Sequence, residues 1–259
     1  MVWLELALAL LLLGSAGLAA WSLQERRRLR HRVDSAAAEL QRLQAAFGHF
    51  APGAVVDRIA ARGRPSEADR REVTVLFADL VGFTALGEAL TPEALVAILN
   101  DYFGRMSRVI EQHRGHVAKF IGDGLMALFG ALEPNPWQAN DAVHAALAMQ
   151  RALTEYNSEL AARRGPHLRA GIGIHRGPAV AGVLGSYTLM EFTVIGGTVN
   201  LASRVERLTR VHGQAVLITD AVREQLDPRF ALIAMPPAVA RGVADPVATW
   251  AVKGFDGDA

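Results

Sequence analysis

HVAKFIGDGLMALFG, residues 116–130, sets two short apolar runs on either side of Gly122, Asp123 and Gly124. Those are the residue types a tight turn asks for, so the stretch reads as a β-hairpin with Asp123 on its turn. Upstream, VTVLFAD at Val73–Asp79 is apolar on both faces and reads as a central strand covered on both sides. Between them Thr91, Pro92 and Glu93 supply an N-cap, an N1 proline and an early acid. They open a helix whose core stripe is Leu95, Leu99, Tyr102, Met106 and Ile110 and which stops at Gly115. Downstream, a helix of about 25 residues is expected from Trp137. Strands follow at Leu168–Ile174, Ala179–Leu184 and Glu191–Ile195, then a helix over Thr198–Arg210 and a strand at Ala215–Ile218. A short helix after Asp220 and strands near Phe230 and over Val247–Val252 complete the chain. Short strands alternating with amphipathic helices predict an α/β (α+β) sandwich with a largely antiparallel sheet. Such a fold says nothing of function by itself.

Composition narrows the options. The chain has 259 residues, with 27 Lys and Arg against 26 Asp and Glu, a formal net charge of +1. That balance carries no nucleic-acid footprint. With no cysteine there is no disulfide framework, thiol nucleophile or Cys-bound metal. The length suits one catalytic domain over residues 70–255 with an N-terminal attachment.

WLELALALLLLGSAGLAAW, Trp3 to Trp21, is apolar apart from Glu5 and Ser15. As a helix it would span roughly 27 Å, one bilayer crossing, so residues 1–23 read as a transmembrane anchor. Tryptophans at both ends suit the interfaces, and Arg26, Arg27, Arg28, Arg30 and Arg32 follow. The positive-inside rule then makes the chain a single-pass protein of the inner (plasma) membrane with a cytoplasmic catalytic domain. A cleaved signal peptide would carry its positive charge before the apolar stretch, and here there is none. Residues 24–69 read as a basic juxtamembrane segment, a short coiled coil and a linker: Leu29, Val33, Ala36, Leu40, Leu43 and Phe47 alternate spacings of four and three. A lone amphipathic helix on the membrane surface is the rival reading.

Two carboxylates stand where metal ligands could stand. Asp79 closes a buried strand and Asp123 sits on the hairpin turn, so they meet if the strands are neighbours. Hard cations such as magnesium take oxygen ligands and keep waters and substrate phosphates in their shell, so two carboxylates beside a triphosphate suffice. On spacing alone the plain alternative stays open: Asp-Gly suits any tight turn, and an Asp at a strand end often caps the next turn.

The surrounding text bears on that choice. FADLVGFT (Phe77–Thr84), KFIGDGLMALFG (Lys119–Gly130) and FTVIGGTVNLASRVE (Phe192–Glu206) resemble, in order and spacing, the three signature segments of class III nucleotidyl cyclases. The resemblance extends over GIGIHRGPAVAG (Gly171–Gly182) and RGVADPVATWAV (Arg241–Val252). It implies a ferredoxin-like catalytic domain working as a homodimer on ATP, with two Mg2+ or Mn2+ ions per site. The family's metal aspartates fall on Asp79 and Asp123, its substrate-selecting lysine on Lys119 and that lysine's partner on Thr193. Guanylate-forming members usually carry Glu and Cys at the last two positions. A lysine donates to adenine N1 but cannot accept from guanine N1–H, which favours ATP on hydrogen-bond grounds too. The resemblance makes Asn200 the residue that orients the ribose and Arg204 the one that stabilises charge on the α-phosphate. These two stand one helical turn apart. Arg241 falls near a lysine that holds the terminal phosphates, and the segment from Leu80 through Phe83 and Thr84 should lend helix-start amides to them. One departure is Gly197, where many relatives have aspartate; altered turn stability or regulation is the expected effect. In the family the metal aspartates come from one protomer, and the lysine, threonine, asparagine and arginine from the other. Alternatives are a guanylate cyclase and a catalytically silent nucleotide-binding dimeric signalling module.

Overall fold

The computed structural model describes residues 69–185, 190–238 and 246–257. The expected anchor, juxtamembrane segment and coiled coil, and Arg241, lie outside the described residues. Among the described residues no helix is long and apolar enough to cross a membrane.

In chain order the elements are β1 (Asp69–Leu80), α1 (Phe83–Ala89), α2 (Pro92–Gln112), β2 (His116–Ile121), β3 (Gly124–Phe129), α3 (Gln138–Ala162) and β4 (Ala170–Gly185). There follow β5 (Met190–Ile195), α4 (Gly197–His212), β6 (Val216–Thr219), α5 (Asp220–Arg223), β7 (Phe230–Ala234) and β8 (Thr249–Phe255). The strands form one sheet in the order β2-β3-β1-β4-β6-β8-β7, with β5 added on β4. Every ladder is antiparallel except β4 with β6. The β2-β3-β1-β4 part, with helices after β1 and before β4, has the split βαβ order of a ferredoxin-like fold.

β1 is central, as its sequence implies. Its alternation sends Leu76, Ala78 and Leu80 into a core shared with Tyr102, Met106 and Ile110 of α2 and Met149 and Leu153 of α3. Val73 and Val75 point the other way and pack with Met126 and Leu128 of β3, Val194 of β5 and Ala202 of α4. α2 starts where expected, its Thr91 hydroxyl accepting from the Ala94 amide at 3.3 Å.

Two expected strands, Leu168–Ile174 and Ala179–Leu184, are one continuous strand of 16 residues, β4. Pro178 reads as a break because proline donates no hydrogen bond. It is tolerated because the β6 ladder stops at Ile174 and the β5 ladder starts at Val180, leaving β4, among the described residues, only β1 as a neighbour between them.

α4 lies close against β4. A Cβ at Gly171 would stand 2.2 Å from the Thr209 hydroxyl, and one at Gly173 would stand 2.0 Å from the Glu206 nitrogen. In the Gly-Ile-Gly-Ile run, Ile172 and Ile174 enter the α2/α3 core while the glycines admit the helix. This close approach carries the C-terminal half of α4 over the end of β1.

Candidate functional site

Asp79 shares a face with Val75 and Phe77, toward α4. Across the hairpin, a Cβ at Gly124 would come 2.9 Å from Asp79 Oδ1, so glycine there leaves room for the carboxylate. Asp123 immediately precedes Gly124 and meets Asp79, as the hairpin reading requires. Burial raises the Asp123 carboxyl above its ordinary range, and the charge of Asp79 and a hydrogen bond between the two side chains push the same way. The Asp123 backbone and the positive charge of Arg210 act against them.

Arg210 of α4 donates to Asp79 Oδ2 and stands 3.1 Å from Glu206 Oε1, one turn back on the same helix. Glu206 is buried, and burial pushes its carboxyl up to about 7 against the pull of Arg210. Asp79, Gly124, Ser203, Glu206, Arg207 and Arg210 line a cleft of about 280 Å³. A larger cavity of about 740 Å³ between α3, the start of β4 and the end of α4 shares Arg210 but has no carboxylate in its lining. Size alone therefore does not locate the acidic site.

Asp79 and Asp123 suit a hard divalent cation: both are oxygen donors, and their mutual repulsion falls when a cation stands between them. Among the described residues no group of three or more His, Cys, Asp and Glu could hold a metal. The protein's offer is thus two carboxylates, with room in the coordination shell for phosphate oxygens.

The other expected residues lie apart from this cleft. Lys119 is on β2 and its Nζ meets Glu191 Oε1 of β5 at 2.5 Å. Thr193, two residues beyond Glu191, is 3 % exposed, and its hydroxyl has no hydrogen-bond partner among the described residues. Asn200 is exposed and Arg204 half-buried on α4; neither lines the cleft, which faces Ser203, Glu206, Arg207 and Arg210 instead. Phe83 packs its ring against the α2/α3 core, so only its amide is free to serve a ligand. Thr84 is exposed in the first turn of α1, where amides have no partner within the helix.

Three residues at these sites were not singled out from the sequence: Glu206, Arg210 and Glu191. Glu206 and Arg210 carried a usable signal, an acid and a base four apart on the helix that bears Asn200 and Arg204. Glu191 carried none, because its partner stands 72 positions away.

Comparison with known proteins gives this geometry a context. The family model described as the adenylate and guanylate cyclase catalytic domain matches residues 66–254. The chain is 37% identical over 196 residues to an adenylate cyclase of Anabaena cylindrica, covering 73% of this chain and 38% of the relative. It is 36% identical over 173 residues to adenylate cyclase 1 of Rhizobium meliloti, covering 67% of this chain and 26% of that protein. It thus spans well under half the length of these curated relatives. Among solved structures, the guanylyl cyclase Cya2 superposes with a TM-score of 0.66 at 39% identity, covering 73% of this chain and 94% of that one. The adenylyl cyclase CyaB from P. aeruginosa superposes with a TM-score of 0.69 at 30% identity, covering 74% and 99%. With a family match over most of its length and the two aspartates of the signature segments side by side, the chain belongs to the adenylate and guanylate cyclase catalytic domain family.

Proposed function

We propose that this protein is an adenylate cyclase, converting ATP to 3′,5′-cyclic AMP and pyrophosphate at sites formed between two copies of the chain. The observation that carries the reading is the split arrangement of the site residues. Asp79 lines the cleft and its side chain is hydrogen-bonded to that of Asp123, while Asn200 and Arg204 of the same copy do not line it. A second copy completes such a site, its asparagine and arginine facing the first copy's carboxylates.

In the reaction, the ribose 3′-oxygen attacks the α-phosphate in line with departing pyrophosphate. Two Mg2+ or Mn2+ ions held by Asp79 and Asp123 would supply Lewis-acid activation of the 3′-hydroxyl and neutralise phosphate charge. Asn200 orients the ribose. Arg204, permanently charged and with several fixed donors, stabilises negative charge building on the α-phosphate. The first-turn amides of α1 at Phe83 and Thr84, with Arg241, hold the terminal phosphates. Lys119 donates to adenine N1 beside Thr193.

Guanylate cyclase is the second reading, favoured by the 39% identity to the guanylyl cyclase Cya2. Identity over the whole domain does not select the base, whereas the family resemblance assigns that task to the positions of Lys119 and Thr193, and a lysine favours adenine. The apolar sequence of residues 3–21 supports a further part of the proposal, a single-pass anchor in the inner membrane with the catalytic domain in the cytoplasm.

The experiment is product formation by the full chain with ATP or GTP and Mn2+, wild type beside Asp123→Ala. Cyclic AMP from ATP, lost in the variant, is the expected result. Cyclic GMP from GTP as the main product would establish the second reading, and no product from either nucleotide in a folded dimer would refute both.

A further inference from the structure

β2 and β5 share no backbone ladder: β2 pairs with β3, and β5 pairs with β4. Side chains span the gap between them: the His116 and Phe192 rings lie 5.8 Å apart, and Lys119 Nζ meets Glu191 Oε1 at 2.5 Å. Both groups reach solvent, with side-chain exposures of 32% and 49%. An ion pair this exposed adds little to stability, so fold stability does not explain it.

Strand alternation puts Glu191 and Thr193 on the same face of β5. Thr193 is 3 % exposed and its Oγ1 is unpartnered among the described residues. A buried hydroxyl left without a partner is costly, and the Thr74 and Thr249 hydroxyls of β1 and β8 are in the same state. Lys119 and Glu191 therefore offer, side by side at the surface, a fixed donor and a fixed acceptor, with the buried Thr193 hydroxyl two residues along β5.

We propose that Glu191 is a further specificity-determining residue, its carboxylate accepting from the exocyclic amine of adenine while Lys119 donates to the adjacent ring nitrogen. This rests on the nucleotide-cyclising reading above. Adenine presents a donor at N6 beside an acceptor at N1; guanine presents an acceptor at O6 beside a donor at N1. The two patterns are inverted. Lys119 stands on β2 and Glu191 on β5, so they cannot exchange places, and their fixed order matches one base and opposes the other. Glu191 also holds the flexible lysine in position before the base arrives, which reduces the ordering cost of binding.

The test measures KM and kcat for ATP and for GTP with the full chain and Mn2+, in wild type, Glu191→Ala and Glu191→Gln. Calorimetric binding of 3′-deoxy-ATP and 3′-deoxy-GTP, which lack the attacking hydroxyl, runs beside it. Glu191→Ala should raise the ATP KM and weaken 3′-deoxy-ATP binding about tenfold, leaving kcat and the GTP values within about twofold. Glu191→Gln, which keeps an acceptor oxygen, should recover most of the loss. An unchanged ATP-to-GTP ratio in Glu191→Ala, or equal losses for both nucleotides, overturns the proposal. If the wild type forms no cyclic nucleotide yet prefers 3′-deoxy-ATP, and Glu191→Ala abolishes that preference, Glu191 keeps its role and the cyclase reading falls.

Discussion

Gly173 of β4 lies directly under Glu206 of α4: a Cβ at 173 would stand 2.0 Å from the Glu206 nitrogen and 2.4 Å from its Cα. Strand and helix touch backbone to backbone here, and neither can yield as a flexible side chain could. Gly173→Ala must push α4 outward, taking Glu206 and Arg210 with it. The expected cost is about 1–3 kcal/mol of stability, read as a lower Tm, together with weaker Mn2+ binding in an electron paramagnetic resonance titration. An unchanged melting curve would show that the helix has more freedom than this contact allows.

Gly197 opens α4 with no side-chain cap and no acid in the first turn. A Cβ there meets nothing within 4 Å, so an acidic side chain has room. Gly197→Asp should place its charge at the positive end of the helix and stabilise the protein by about 0.3–1 kcal/mol at low ionic strength. Denaturation at low and high salt checks this, since the gain should shrink as salt rises.

The proposed two-copy site makes a prediction about mixtures. Asp79→Ala and Asn200→Ala should each be inactive alone. Mixed in equal amounts, half of the dimers would carry both lesions on one composite site and an intact site on the other. Activity should then return to about a quarter of the wild-type value, the share of intact sites expected for random pairing across a two-fold interface. No rescue in a mixture shown to exchange subunits would sink the shared-site reading.

Acid should weaken the fold through two histidines. Burial holds His116 and His175 at about 4, below the ordinary value of 6.5. His175 is bonded to the Thr219 hydroxyl at 2.8 Å, and His116 packs its ring near Phe192 with Nε2 unpartnered among the described residues. Between pH 6.5 and 4 the unfolded chain binds more protons than the folded one, so stability is full above 6.5 and falls as pH drops toward 4. Each ring contributes about 2–3 kcal/mol to that loss. A His116→Phe, His175→Gln variant should have a flatter pH–stability curve in urea titrations over this window.

Much of this was legible in the residues themselves. β1 and the hairpin declared themselves through runs of apolar residues bounded by Gly122 and Asp123, and α2 through its Thr91–Pro92 start, because each of those signals is local. The meeting of Asp79 with Asp123 followed from the hairpin and the resemblance together. Pro178 misled because tolerance of proline in a strand depends on which neighbours the strand lacks at that point, and that is a property of the sheet. The burial of Glu206 was hidden for a related reason, although its spacing from Arg210 was legible. A glutamate two residues past Arg204 looks like surface until Gly171 and Gly173 let the helix settle onto β4 and bury it. Lys119 was legible as a charged residue in a signature segment, but its pairing with Glu191 exists only once β5 folds back beside β2.

Among the described residues β2 is a terminal strand of the sheet, bonded to β3 alone, and so offers an outer row of backbone groups to any passing strand. Its ladder slips between Val117 and Lys119, and the irregularity sets a charged side chain on the rim beside the exposed Phe120 and Ile121. Lys119 therefore guards against edge-to-edge aggregation, apart from the base-reading role proposed for it. Replacing it with an apolar residue to probe substrate choice would leave Phe120 and Ile121 on an unguarded edge, and solubility would decline along with selectivity.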